Sequence, residues 1–189
     1  TPIIDSIHLA GMAENKPNVA FTVLISEQQR QRWISAGGDS NKSVIIPVPV
    51  EVPHETKFNQ SYRGELGWGN KFVFGMHQRN DKNIFSPIPL EAYEEIENNN
   101  TAFLMLGGSS NYQKQAKDLR LKNVHFLDTT SNIDLIHKFL NTLDVYAHGR
   151  SDGEQCSSSI IEGLSHSLPI ISHIAPSMGQ VEQIGDAGS

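Results

Sequence analysis

Two glutamates, Glu154 and Glu162, are separated by seven residues in the run Gly153-Glu-Gln-Cys-Ser-Ser-Ser-Ile-Ile-Glu-Gly163. The run leads from a loop into an apolar helical stretch. A helix start presents backbone N–H groups and the positive end of its dipole, which suits an anion such as a diphosphate. Glu154, in the loop, can accept hydrogen bonds from sugar hydroxyls. Glu162, in the first turns of the helix, can take the two vicinal hydroxyls of a ribose, as acidic residues do in dinucleotide sites. Simpler readings stand beside these. Ser159-x-x-Glu162 is also the spacing of a capping box, and Glu154 also fits an ordinary solvated loop carboxylate.

A second group, Gly75-Met-His-Gln-Arg79-Asn-Asp-Lys82, places two cations just after a strand. Arginine holds phosphate oxygens bidentately and lysine holds one as a point charge. The plainer alternative is a solvated turn. His77 and His148 lie beside strand ends, where core or loop histidines are the default. Cys156 has no nucleophile motif around it and reads as a packed thiol. No cluster has zinc-ligand spacing, so no metal is expected.

The elements that must position these residues are read from periodicity. Lys71–Met76, Ala102–Leu106, Val124–Leu127, Val145–Ala147 and Pro169–Ile171 read as strands. Between them lie helical stretches at Leu90–Asn98, Tyr112–Leu119, the capping-box run from Ser131 with Asp134, and Ile160–Leu164; a last helix covers Met178–Ile184. Five strands alternating with helices predict an α/β fold, a Rossmann-like parallel sheet with helices on both faces. In such sheets the ligand crevice lies beyond the C-terminal ends of the strands. Upstream, strands near Ile3–Ile7, Val19–Ile25 and Val44–Ile46 and a helix from Ser26 to Ala36 form a separate unit, with too few strands for a full doubly wound sheet. Pro47, Pro49 and Pro53 then give a stiff connection. The division is residues 1–52, a linker or first segment at 53–70, and a main unit at 71–189.

The 189 residues carry a formal net charge of −6, which argues against nucleic acid as the main partner. No apolar run is long enough to cross a bilayer, and the start has no secretory pattern. A single cysteine excludes an internal disulfide and makes a reducing cytoplasm the default.

Read in order, these pieces resemble the C-terminal domain of the family 4 retaining glycosyltransferases, which have two facing Rossmann-like domains (the GT-B architecture). Ile46-Pro-Val-Pro-Val-Glu51 is similar to the family's Ile-Pro-Asn-Gly-Val-Asp connection. Phe72-Val-Phe-Gly75 with Arg79 and Lys82 looks like its first strand and Gly-Arg…Lys motif. Asn123-Val-His-Phe-Leu127, the stretch Leu143 to Glu154, the two-glutamate motif, Leu168-Pro-Ile-Ile171 and Glu182-x-Ile184 follow in family order. Val23-Leu-Ile-Ser-Glu27 and Ile7-His8 resemble parts of the N-terminal domain. The chain departs from the pattern at Gln155, Cys156 and Ser157, where the family has Gly or Thr, Phe, and Gly or Pro, and at Ser167, where it has Gly.

The resemblance implies a transferase that moves a hexose from a UDP- or GDP-sugar to a glycan, lipid or small-molecule acceptor, with retention and without a metal. Arg79 and Lys82 would hold the diphosphate, Glu162 the ribose, and Glu154 the sugar. The backbone at Gln155, Cys156 and Ser157 would line sugar and phosphate, Gly75 would be a further donor-binding residue, and His8 would stand near the reacting centre. It also implies that a glycine-rich loop, a crossing C-terminal helix and any parts that touch a membrane surface lie outside this sequence. Three alternatives stay open: a nucleotide-sugar 2-epimerase of the same architecture, a donor-binding module without turnover, and a generic doubly wound domain.

Overall fold

In the computed structural model, residues 1–8, 17–52 and 60–185 are described. The upstream part forms a three-stranded parallel sheet in the order β1-β2-β3: β1 (Ile3–Ser6), β2 (Val19–Leu24) and β3 (Ser43–Ile45). Helix α1 (Glu27–Ser35) follows β2. Ser26 caps it by accepting from the Gln29 N–H at 3.2 Å, and Trp33 is buried on its inner face. Residues 53–59 of the expected linker lie outside the described residues. From residue 60 the chain already belongs to the second unit: Tyr62 N–H donates to Thr142 Oγ1 at 2.8 Å, Arg63 pairs with Asp144 at 2.7 Å, and Trp68 joins the core.

The second unit is a five-stranded, all-parallel sheet. It contains β4 (Phe72–Gln78), β5 (Thr101–Gly107), β6 (Val124–Leu127), β7 (Val145–Ala147) and β9 (Ile170–Ile171). Its order is β6-β5-β4-β7-β9. The chain winds outward from β4 to β6, then starts again on the other side at β7, so the switch point falls between β4 and β7. Strand β5 is buried from Ala102 to Leu106, as a central parallel strand covered on both faces should be. Helices α2 (Ile88–Glu94), α3 (Ser110–Asp118), α4 (Ile133–Leu140) and α5 (Ser158–Ser165) supply that cover. Strand alternation decides the faces. Phe74 of β4 meets Tyr93 of α2, whereas its neighbours Gly75 and His77 turn to the other face, toward Leu143 and toward Phe139 of α4.

The fold class and the five expected strands agree with this architecture, and two of those strands have the predicted bounds. Three details differ. The cap of α4 is Asn132, accepting from Asp134 N–H at 3.0 Å, so the capping box expected from Ser131 is displaced by one residue. A two-stranded pairing of β8 (Gly153–Glu154) with β10 (Ser177–Met178) was not foreseen, because two-residue strands carry no periodicity. Gly75 sits mid-strand, where a Cβ would come within 2.5 Å of the Leu104 carbonyl oxygen; its smallness serves sheet packing. The last helix, α6 (Gly179–Ile184), ties the units together: Gln28 accepts from Met178 N–H at 2.8 Å, and Arg32 donates to the Pro176 carbonyl at 3.1 Å.

Candidate functional site

A cavity of about 500 Å³ opens at the C-terminal ends of β4 and β7, at the switch point. Its wall has three parts. The end of β4 gives His77, Gln78 and Arg79. The loop from Arg150 to Ser157 gives Glu154 and its neighbours, and the first turns of α5 give Ser158, Ser159 and Glu162. His8, Ile25 and Val48 face it from the upstream unit. Of the residues expected to bind or react, His8, Arg79, Glu154, Gln155, Cys156, Ser157 and Glu162 therefore share one cavity. Lys82 and Gly75 do not line it: Lys82 opens an exposed 3-10 turn, and Gly75 is buried in β4.

Helix α5 begins at Ser158, with Ser157 as its N-cap, so Glu162 lies too deep in the helix to close a capping box. Its Oε2 instead stands 2.6 Å from His77 Nε2. The other ring nitrogen, Nδ1, is 3.2 Å from the hydroxyl of Tyr146, a fully buried residue whose pKa burial pushes well above its usual range. The Tyr146 hydroxyl therefore stays protonated. Ser157 gives α5 no side-chain cap; its Oγ lies 2.9 Å from Ser159 Oγ, and Ser157, Ser158 and Ser159 all line the cavity at the start of α5.

Glu154 is held differently. Its backbone N–H donates to Gln180 Oε1 at 3.0 Å, and Arg150 Nη1 donates to its Oε2 at 3.1 Å. His148, buried and bonded to Ser172 Oγ at 2.9 Å, brings Nε2 to 3.8 Å from Glu154 Oε1. Arg150 also grips Asp152 at 2.6 and 3.1 Å. That contact holds the Asp152 carboxyl below the usual carboxylate range and raises the arginine further. Two glycines let the loop fold this closely. A Cβ on Gly153, at φ +74°, would fall 2.0 Å from the Ser177 carbonyl oxygen, and one on Gly179 would fall 2.1 Å from that of Gln155.

The three loop positions that depart from the family pattern, Gln155 to Ser157, are also fixed. Gln155 is buried with Nε2 donating to Ser177 Oγ at 2.9 Å. Ser157 N–H donates to Gln183 Oε1 at 2.6 Å, and Gln183 Nε2 reaches Cys156 Sγ at 3.3 Å. Burial raises the Cys156 thiol, so it rests as the thiol and not as a nucleophilic thiolate. Arg79, largely exposed, pairs with Asp81 at 3.3 Å on the rim. His8 Nε2 is 2.9 Å from Ser6 Oγ. Among the described residues no group of three or more His, Cys, Asp or Glu side chains could hold a metal ion. No helix among them is long and apolar enough to cross a membrane.

Sequence reasoning left His77, Arg150 and Asp152 without a role. Arg150-x-Asp152-x-Glu154 is a usable signal, one cation and two carboxylates at every second position ahead of a helix. His77 gave none, because its partner is 85 residues away.

No family model matches the chain, and no curated protein matches it. Solved structures do. The chain is similar to Anabaena HepE in complex with UDP, at 18% identity and a TM-score of 0.79, over 97% of this chain and 56% of that one. It is similar to S. aureus TarM, solved as a mutant with fondaparinux, alpha-GlcNAc-glycerol and UDP, at 15% identity and a TM-score of 0.68, over 97% of this chain and 38% of that one. WaaG, a glycosyltransferase involved in lipopolysaccharide biosynthesis, aligns at 14% identity and a TM-score of 0.64, over 83% and 45%. The chain thus has the Rossmann-like fold of GT-B glycosyltransferases and spans about half the length of the first of these structures.

Proposed function

We propose that this chain is the donor-binding part of a retaining glycosyltransferase of family 4, transferring a hexose from a UDP- or GDP-sugar to a glycan, lipid or small-molecule acceptor. The observation that carries the reading is the meeting of Glu154, Glu162 and the open start of α5 in one cavity at the switch point. Solved neighbours that hold UDP support a nucleoside diphosphate as the ligand class.

On this reading Glu162 takes the ribose hydroxyls and the diphosphate rests on the N–H groups of Ser158 and Ser159, with Arg79 at the rim. As the bond from C1 to the diphosphate breaks, its electron pair stays on the phosphate oxygen. The helix start and the arginine stabilise that charge, and no metal is required for it. Glu154 faces the sugar, its geometry set by Arg150. Residues 1–52 form the acceptor side, where His8 approaches the reacting centre, and residues 71–189 the donor side.

Calorimetric titration with UDP, GDP and their common sugar conjugates tests this on the wild type and Glu162→Ala. Saturable binding of one nucleotide, weakened in the variant, is expected. Equal binding by both proteins would remove Glu162 from the site, and no binding would reject the donor-site reading. Release of a sugar epimerised at C2 with no acceptor consumed would identify a 2-epimerase instead.

A further inference from the structure

The proposed ribose contact needs Glu162 charged and aimed, and the structure shows what holds it. Carboxylates on a helix ordinarily swing in solvent. Glu162 is instead the end of a chain of contacts that starts in the core. The Tyr146 hydroxyl is fully buried and fixed against β4: it accepts from the His77 backbone N–H at 3.3 Å and donates to the His77 carbonyl oxygen at 3.3 Å. The same hydroxyl stands 3.2 Å from His77 Nδ1, and His77 Nε2 reaches Glu162 Oε2 at 2.6 Å. The imidazole is packed edge-on against Phe139 and Tyr146, with ring centroids 5.6 and 5.5 Å away, so it has little room to turn.

Facing a carboxylate, Nε2 must carry a proton. Nδ1 stands 3.2 Å from the Tyr146 hydroxyl, which also donates to the His77 carbonyl oxygen and hydrogen-bonds the Ser159 side chain, so the ring is held at both nitrogens. The carboxylate, an acceptor only, keeps the proton on Nε2, and the packed histidine in turn aims the carboxylate. Among the described residues Glu162 Oε2 is bound to His77, which leaves Oε1 for a ligand hydroxyl.

We infer that His77 is a positioning residue: it acts through Glu162, fixing that carboxylate so that a diol on the ligand meets a pre-aimed acceptor. This rests on the reading of Glu162 as a ribose contact. A histidine in this place gives selectivity for ligands with both ribose hydroxyls, because a pre-aimed carboxylate loses most when its partner is missing.

The test compares UDP with 2′,3′-dideoxyuridine diphosphate on the wild type, Glu162→Ala, His77→Phe and His77→Gln. Phe keeps the ring packing and removes the donor; Gln restores a donor. The wild type should prefer UDP by about tenfold or more, as a charge-assisted hydrogen bond requires. His77→Phe should lose most of that preference with little change for the dideoxy compound, and His77→Gln should recover part of it. A His77→Phe protein that keeps the full preference, while Glu162→Ala loses it, overturns the role of His77 alone. No preference in the wild type overturns the ribose reading itself and the inference with it. Long-range ¹H–¹⁵N spectra of the unliganded chain give a check free of ligand: a single Nε2-protonated His77 that becomes a tautomer mixture in Glu162→Ala is expected. A mixture already present in the wild type contradicts the relay.

Discussion

Helices α1 and α5 begin alike, each with serine at the N-cap, yet the molecule treats the two starts in opposite ways. At α1 the protein supplies the anion. Ser26 Oγ accepts from Gln29 N–H, and Glu182, reaching across from α6, accepts from the Glu27 and Gln28 N–H groups at 2.8 and 3.1 Å. At α5 no side chain among the described residues caps the first turn, and the nearest helix carboxylate, Glu162, is turned aside by His77. A filled N-terminus is a structural joint; an open one facing a cavity is a binding element. The same α6 serves both, since Glu182 closes α1 while Gln180 and Gln183 hold the backbone of Glu154 and Ser157.

The largest effect should come from breaking both ends at once. Gly179→Ala would place a methyl 2.1 Å from the Gln155 carbonyl oxygen and push α6 off the loop. Overpacking of this kind costs about 3 kcal/mol, and nucleotide binding should fall with it; unfolding midpoints in denaturant, read beside the titration, check both. Glu162→Ala separates the two starts. It should weaken UDP by about 1–3 kcal/mol, the range for a lost hydrogen bond, while thermal melting shifts little.

The far end of α5 offers a pH test. His137 Nδ1 is 2.9 Å from His166 Nε2, and His166 Nδ1 is 2.8 Å from Asn141 Oδ1. Burial first, and then the charge of His137, push His166 from 6.5 down to about 4. Between these values the unfolded chain takes up a proton that the folded one refuses. Stability should therefore fall as pH drops from 6.5 toward 4 and level off below. His166→Gln should flatten that limb, measured as denaturant midpoints against pH; an unchanged slope would count against a neutral His166 in the fold. The smallest effect is expected from Glu182→Ala, about 1 kcal/mol for a carboxylate lost from a largely exposed helix start, with UDP affinity nearly unchanged.

How far the sequence could be read differs between these regions for physical reasons. Strands such as Val124–Leu127 and Val145–Ala147 are apolar runs between polar turns, and a buried parallel sheet demands such runs. The order of family-like motifs brought Arg79, Glu154 and Glu162 to one crevice, which the fold also does. What stayed hidden depends on pairing distant in sequence. The His77–Glu162 contact requires β4 beside β7 and α5 packed over both. The β8–β10 pair is too short to leave a period. The capping-box spacing at Ser159 misleads because a cap depends on where the helix starts, and α5, capped at Ser157, starts two residues earlier than that reading needs. Gly75 was read with the donor-side motif, while its neighbours make it a packing residue of the sheet.

The central claim is that α5 opens on a ligand and α1 does not. Backbone amide spectra of the ¹⁵N-labelled chain, titrated with UDP, address it directly. The account predicts saturable shifts at Ser158, Ser159 and Ile160, with Glu27, Gln28 and Gln29 unmoved. Shifts at the α1 start, or none at α5 at saturating UDP, would contradict it.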